Sequence, residues 1–284
     1  MRVIAHLSDL HFGRVDPATL PALQAALIAA RPDVLVVSGD LTQRARRHEF
    51  EAARRFLDRL PFPRVVVPGN HDIPLYNLIA RATAPFRSYR SGFANALEPL
   101  FIDREIAVLG INTARASTFK NGRINMLQVE RSCARLEQCG PAVRRIVVTH
   151  HPFDITAAGN NSDVIGRAGL AMAAFPRSRV DLVLSGHLHV CHAAPSAVRY
   201  GDAGWASLLV QAGTATSTRR RGEVNAFNLI RINRPEIAVE SVRWAGEVFR
   251  STATARFLRG SEGWINASTG LSARGPAPCG GRRI

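Results

Sequence analysis

Residues 65–72 read Val-Val-Val-Pro-Gly-Asn-His-Asp, an apolar run that breaks at Pro68-Gly69 and then presents an amide, an imidazole and a carboxylate in succession. Three β-branched residues read as a short buried strand, and Pro-Gly ends it. The same construction occurs twice upstream. Val3 to Leu7 leads into Ser8-Asp9-Leu10-His11, and Val34 to Val37 leads into Ser38-Gly39-Asp40. Between these runs, Leu20 to Ala30 and Phe50 to Leu60 are amphipathic stretches of helical length. The rhythm is βαβαβ, which predicts an α/β fold built on parallel strands. Open sheets of this kind form their sites at the C-terminal ends of the strands, where each polar cluster falls.

The pattern resumes downstream. Ile106 to Ile111 reads as another strand, Ile146 to Thr149 runs into His150-His151, and Leu182 to Leu184 runs into Ser185-Gly186-His187-Leu188-His189. Between about Ile73 and Asn125 the rhythm gives way to residues rich in Pro, Tyr, Arg and Asn, which predicts a lid-like insertion over the site. From Trp205 to Phe249 the segments LLVQAG, NAFNLIRI and IAVESVRW read as strands joined by polar turns, a β-layer packed beside the first sheet. Residues 1–250 then form a single domain. Residues 251–284 form a C-terminal extension whose Gly-, Pro- and Arg-rich end, from about 271, reads as flexible.

The 46% hydrophobic content is that of a globular chain with a full core. A formal charge of +15, from 37 Lys and Arg against 22 Asp and Glu, favours anionic partners: a phosphoester, an acidic membrane surface or nucleic acid. The plain reading is a solvated surface, because the arginines are scattered. Nucleic acid is disfavoured, since no aromatic residues interleave with a basic patch. Arg219, Arg220 and Arg221 read as a solvated turn, with a basic rim as the alternative. Cys133, Cys139, Cys191 and Cys279 show no paired spacing, so neither a disulfide framework nor a zinc knot is indicated. With no charged leader and no apolar run of about 20 residues, the expected location is cytoplasmic, with a peripheral position at the inner membrane surface as the alternative.

Asp9, His11, Asp40, Asn70, His150, His187 and His189 all follow predicted strands. A carboxylate can bridge two divalent cations, whereas imidazole and an amide oxygen serve one each, so this set suits two ions sharing Asp40. Without thiolate it points to Mn or Fe, with Zn, Co and Ni compatible. In D-x-H and H-x-H, strand alternation would let both residues leave the strand end on one side. Such a centre lowers the pKa of a bridging water, orients a phosphate and neutralises its charge, which is phosphoester hydrolysis without a covalent enzyme intermediate. Gly39, Gly69 and Gly186 read as turn residues that aim the ligands. His6 and His48 read as structural or solvent-exposed. His151, turned from the metals by alternation, is a candidate substrate contact, as are Asn112 and Arg123; His192 is a pocket-edge or surface residue.

The five blocks Ser8 to His11, Ser38 to Asp40, Pro68 to Asp72, Thr149 to His151 and Gly186 to His189 resemble, in order, the motifs of the calcineurin-like metallophosphoesterases. The resemblance covers about Val3 to His192. It implies a four-layer α/β/β/α sandwich, a mixed sheet pair flanked by helices. It also implies a first ion on Asp9, His11, Asp40 and His189, and a second on Asp40, Asn70, His150 and His187. By the same resemblance His71 donates a proton to the leaving group, Asp72 orients it, and Asn70, His71 and His151 face the substrate.

Within the superfamily the sequence is most similar to bacterial class III cyclic nucleotide phosphodiesterases and related glycerophosphodiesterases. It departs from the protein phosphatases, whose second block carries Arg where this chain continues Leu41-Thr42-Gln43. Lipid A precursor hydrolases have Arg in place of His71, and the nucleases add a capping domain. The expected activity is hydrolysis of a phosphodiester in a small, cyclic nucleotide-like molecule. The alternatives are a hydrolase of lipid- or nucleotide-linked phosphate esters at a membrane surface, a nuclease, or a non-catalytic binding module. A homodimer is implied by the resemblance alone.

Overall fold

Strand alternation sorts the apolar residues into three cores. Along β1 (Arg2–Leu7), Val3, Ala5 and Leu7 pack on one side with Leu23, Leu27, Phe50 and Phe56, while Ile4 packs on the other with Val108, Val148 and Leu184. A strand buried on both faces has to be apolar at nearly every position, which is why these runs are continuous rather than alternating.

The computed structural model describes residues 1–93, 96–156, 160–201, 204–218, 222–261 and 263–267. After β1 come α1 (Thr19–Ala30), β2 (Val34–Ser38), α2 (Arg47–Leu57), β3 (Arg64–Val67), α3 (Leu78–Thr83) and α4 (Arg87–Gly92). Next are β4 (Leu100–Ile102), β5 (Ile106–Gly110), α5 (Met126–Glu137), β6 (Arg144–Val148), α6 (Ala168–Ala174), β7 (Val180–Ser185) and β8 (His192–Pro195). The chain closes with α7 (Ala197–Tyr200), β9 (Leu208–Gln211), β10 (Ala226–Asn233), β11 (Glu236–Trp244), β12 (Phe249–Gly260) and β13 (Gly263–Asn266).

The strands form two mixed sheets, ordered β13-β12-β11-β10-β1-β2-β3 and β4-β5-β6-β7-β9-β8. In the first, β1, β2 and β3 are parallel and β10 runs antiparallel to β1. In the second, β5, β6, β7 and β9 are parallel, with antiparallel edges β4 and β8. Helices α1 and α2 cover the outer face of the first sheet, and α5 and α6 that of the second. The sheets face each other across a core of Ile4, Val36, Val65, Ile146, Leu182 and Ile230. This is the four-layer α/β/β/α sandwich.

Two features differ from the sequence reading. The segments after residue 205 form no separate layer: β9 joins the second sheet beside β7, and β10 to β13 extend the first. The first sheet therefore continues past residue 250, through Asn266. The strand read over Ile106 to Ile111 is present as β5, an inner strand between β4 and β6. The stretch from about 271, with Cys279, lies outside the described residues, as do Arg219, Arg220 and Arg221. Among the described residues, no helix is long and apolar enough to cross a membrane.

Near the strand ends the inter-sheet core turns polar. His6 is fully buried, its Nε2 2.9 Å from Ser38 Oγ, and Asn228 Nδ2 donates across the gap between sheets to the Gln211 carbonyl at 3.0 Å. Burial lowers the His6 imidazole to about 3, outweighing the raising pull of Asp9. A base whose folded pKa lies below its unfolded value leaves stability complete above about pH 6.5 and subtracts from it as pH falls toward the folded value. In metal-free protein, the urea-unfolding free energy of His6→Gln should therefore fall less steeply with acid than that of wild type. The difference is up to about 1.4 kcal/mol per pH unit between about pH 6 and 4. Coincident slopes would mean that His6 is not held neutral by the fold.

Candidate metal centre

Asp9 and His11 follow β1, Asp40 follows β2, Asn70 follows β3, His150 follows β6, and His187 and His189 follow β7. All seven converge at one edge of the sandwich, and all are buried or nearly so. Strand alternation does not aim them, contrary to the sequence reading. Asp9, His11, Asp40, His187 and His189 lie beyond their strands and adopt left-handed backbone, with φ of 53°, 47°, 52°, 73° and 62°. That conformation costs a non-glycine residue about 1 kcal/mol, and it collects at sites where the surrounding structure enforces it.

The glycines act mainly through space. Gly39 has φ of +91°, as a turn residue should, but Gly69 and Gly186 are not among the positive-φ residues. A Cβ on Gly69 would lie 2.1 Å from Asp40 Oδ1, and one on Gly186 would lie 1.7 Å from Ser8 Oγ and 2.7 Å from Asp9 Oδ2. Both positions must be bare so that carboxylates can rest against the backbone. Asp40 Oδ1 accepts from the His71 N–H at 2.9 Å, and Asp9 Oδ2 accepts from the His187 N–H at 2.9 Å and Ser8 Oγ at 2.6 Å.

Among the described residues the ligand-type atoms form four groups of three, two of them, His150 with His151 and His187 and His11 with Asp40 and His71, drawing in residues beyond the seven. Asp9, His11 and His189 each place a ligand atom within 4.8 Å of the others, as do Asp9, Asp40 and His150. His150 Nδ1 donates to the Ser38 carbonyl at 2.8 Å, and Asn70 Nδ2 donates to the Phe119 carbonyl at 3.4 Å. Their other ends, His150 Nε2 and Asn70 Oδ1, then face each other at 3.1 Å, with Asp40 Oδ1 3.4 Å from the same nitrogen. Acceptors held this close need positive charge between them. His187 Nε2 is buried with no hydrogen-bond partner, and Asp9 Oδ1 faces only imidazole nitrogens, His189 Nε2 at 3.1 Å and His11 Nε2 at 3.6 Å, as atoms shaped for something other than the protein do.

Electrostatics agree. Burial alone would raise the Asp9 and Asp40 carboxyls, yet the surrounding imidazoles hold both below the ordinary carboxylate range. Burial would lower His150, but the Asp40 carboxylate overrides it and pushes the imidazole up to about 9. His187, buried and next to His150, is lowered to about 3. A pocket that draws positive charge to one imidazole and withholds a proton from its neighbour suits metal cations. The donor set fits two ions sharing Asp40, with Asp9, His11 and His189 on one side and Asn70, His150 and His187 on the other.

The residues proposed for substrate divide. Asn70 and His71 line a cleft of about 220 Å³ with Asp40, Gln43, Ile73, Leu75, Phe119, Lys120, His187 and His189. His151 is absent from the lining. It is 1% exposed, and its Nδ1 and Nε2 pair with Thr113 Oγ1 at 2.8 Å and the Lys120 carbonyl at 2.9 Å, so it braces the cleft wall from behind. Asp72 does not orient the His71 ring directly. Its two oxygens accept from the N–H groups of Leu41, Thr42 and Gly69 and from Thr42 Oγ1 at 2.8–3.1 Å, while His71 Nδ1 donates to the Gln43 carbonyl at 2.9 Å.

Burial and the Asp40 charge push Asp72 up to about 6, against the pull of these donors. Asn112 caps its own turn through Ala114, Arg123 is exposed, and His192 pairs with Asp154 at 3.3 Å. His6 is structural and His48 exposed.

Several residues that shape the site gave no readable signal. Thr214 and Thr216, just after β9, donate to the carbonyls of Asp9 and Leu10, each at 2.7 Å, and so fix the first ligand loop from 200 residues away. Arg81, 4% exposed, donates to the carbonyls of Pro74, Arg115, Ala116 and Thr118 and covers the Phe119 ring at 4.4 Å, which joins the two walls of the cleft.

Substituting Gly69 by Ala tests the close-approach reading. The added methyl must displace Asp40, so Gly69→Ala protein should keep its far-UV circular dichroism yet bind fewer than two Mn ions per chain by equilibrium dialysis and elemental analysis. Wild-type stoichiometry and affinity would sink the idea that Asp40 depends on that bare backbone.

Comparison with known proteins follows the same lines. A family model described as calcineurin-like phosphoesterase matches residues 2–191. The glycerophosphodiester phosphodiesterase GpdQ of Enterobacter lignolyticus is 37% identical over 81 residues, 25% of this chain and 29% of that protein, so the match spans under a third of the relative. A protein of Synechococcus sp. named "Probable cyclic nucleotide phosphodiesterase" is 27% identical over 201 residues, 66% of this chain and 72% of the relative. Among solved structures, a dimetal phosphatase from Danio rerio superposes with a TM-score of 0.62 at 13% identity, covering 89% of this chain and 98% of that one, which speaks to the fold. The chain belongs to the calcineurin-like phosphoesterase family, and its buried cluster of carboxylates and imidazoles could hold metal ions.

Proposed function

We propose that the protein is a phosphodiesterase acting on a small, cyclic nucleotide-like molecule, with Mn or Fe as its two ions. The observation that carries this reading is the cleft: about 220 Å³, closed on one side by Ile73, Leu75, Phe119 and Lys120 and ending on the ligand set. A cleft of that size suits a small ester. The names of the two relatives point the same way.

Two bound divalent cations supply a water of lowered pKa and neutralise charge on the phosphoryl group. The chain supplies position and a proton. Asn70 and His71 enter the cleft from one short turn. His71 Nδ1 must carry hydrogen, since the Gln43 carbonyl only accepts, so in the charged ring Nε2 is the end that can protonate a departing alkoxide. Asp40 lies close to that ring, which helps to hold the carboxyl ionised. Asp72 reaches the reaction only through the loop it ties down.

Mn-loaded protein should hydrolyse bis(p-nitrophenyl) phosphate and cyclic AMP faster than p-nitrophenyl phosphate. Asp40→Ala should abolish all turnover. His71→Ala should retain both ions and lose about 10²–10⁴-fold in kcat toward cyclic AMP, whose leaving group needs a proton, but less toward the nitrophenyl diester. Equal losses on both substrates would remove His71 as the acid. Monoester preference would remove the phosphodiesterase reading.

A second reading, hydrolysis of lipid-linked phosphate esters at a membrane surface, draws on Tyr76, Leu78, Ile79 and Phe119, all exposed on the segments that border the cleft. Arg44 covers the Tyr76 ring at 5.1 Å. An apolar rim with cations would favour anionic bilayers. It predicts co-sedimentation with phosphatidylglycerol vesicles at low salt and loss of it in Ile79→Asp; protein that stays in the supernatant ends this reading.

A further inference from the structure

The chain carries 37 Lys and Arg residues, and only one of them, Lys120, is lysine. That lysine lines the cleft beside Asn70, His71 and His187. Arginine supplies the cation everywhere else, so a need for charge alone does not explain the exception. The two groups differ in what they can do. A guanidinium is a planar fork that locks bidentately onto carboxylates, whereas an ammonium is a compact charge on a flexible stem with three donors it can redirect.

The backbone beneath Lys120 is fixed. Its carbonyl accepts from His151 Nε2 at 2.9 Å, and a Cβ on Gly122 would lie 2.1 Å from His151 Nδ1, so the loop is packed directly on that ring. The Arg123 and Ile124 N–H groups bond the carbonyls of Thr113 and Gly166. Arg81 holds the Thr118 carbonyl on the other side.

The head is not fixed in this way. The Lys120 side chain is 53% exposed and its Nζ pairs with Asp163 Oδ1 alongside the cleft. An ion pair of that exposure contributes little to stability and is readily exchanged for another anion.

We infer that Lys120 is the substrate-binding cation of this cleft: its ammonium leaves Asp163 to grip an anionic phosphoryl oxygen of the bound ester. The inference rests on the phosphoester reading of the site. Asp163 is then the competitor that holds the ammonium when the cleft is empty. The competing account, a latch between two loops, makes the opposite prediction for one of two variants.

In Mn-loaded protein, Lys120→Met should raise KM for bis(p-nitrophenyl) phosphate about tenfold or more, the loss of one charge-assisted hydrogen bond, with kcat and Tm nearly unchanged. Asp163→Asn, by releasing the ammonium, should lower KM. If the pair is only a latch, both variants lower Tm and shift KM the same way, and the proposal falls. A second measurement does not depend on turnover. Reductive methylation with ¹³C-formaldehyde labels Lys120 and the Met1 amine, and Met1 pairs with Glu105, outside the residues that line the cleft. In zinc-loaded protein, inorganic phosphate should shift the Lys120 signal saturably and leave the Met1 signal in place. Should wild type cleave no phosphoester, the reading of the site fails, while a saturable Lys120 shift still establishes the cation; no shift, or equal drift of both signals, overturns it.

Discussion

His150 Nε2 and Asn70 Oδ1 are held 3.1 Å apart with their own hydrogens committed elsewhere, and Asp40 Oδ1 stands 3.4 Å from the same nitrogen. His150, pushed up to about 9, carries a proton there when no cation is bound; without charge at that point such groups would turn apart to find water. Much of the surrounding architecture prevents that. The left-handed residues aim the ligands, the bare backbone at Gly69 and Gly186 lets two carboxylates approach, and Thr214 and Thr216 tie down the loop between Asp9 and His11. Five strained residues at about 1 kcal/mol each are a sizeable fraction of a typical domain's stability. The three apolar cores carry that cost. What they maintain is a preorganised demand for cations.

The geometry of the sandwich explains why the demand falls where it does. Asp9, His11, Asp40 and Asn70 come from the first sheet and His150, His187 and His189 from the second. Bound ions would join the two sheets at the C-terminal ends of their parallel strands. At the opposite end, Arg2 of the first sheet meets Asp103, just before β5 of the second, at 2.8 Å. Between the two lie the inter-sheet apolar core and the polar layer of His6, Ser38, Asn228 and Gln211. Polarity thus rises in steps from the middle of the sandwich to the metal edge.

Much of this was legible in the sequence, because a strand buried on both faces leaves an unbroken apolar run and a polar ligand cluster ends it abruptly. The βαβ rhythm and the convergence of the seven candidate ligands follow from those two signals. The mechanism of aiming did not. D-x-H suggests strand alternation, but the backbone has already left the strand, and nothing in Asp9 or His187 announces a positive φ. Gly69 reads as a turn residue, whereas its role is set by an Asp40 carboxylate some 30 positions away. Thr214, Thr216 and Arg81 act through carbonyls brought close only by the tertiary fold. His151 reads as a substrate contact because the alternation argument has no means of foreseeing that Thr113 and Lys120 occupy both of its nitrogens.

The ligand set runs from Asp9 to His189, and the hydroxyls that hold its first loop come later still, at Thr214 and Thr216. A chain emerging from the ribosome therefore presents Asp9 and His11 long before any of the imidazoles that complete the site. No local segment could retain an ion by itself, and long-range closure of this kind is slow. The chain must be made as far as Thr216 before metal has a fully braced destination. Metal loading would thus be an event in the life of the folded protein, and the ions available at that moment, rather than the order of translation, would decide which ones the centre receives.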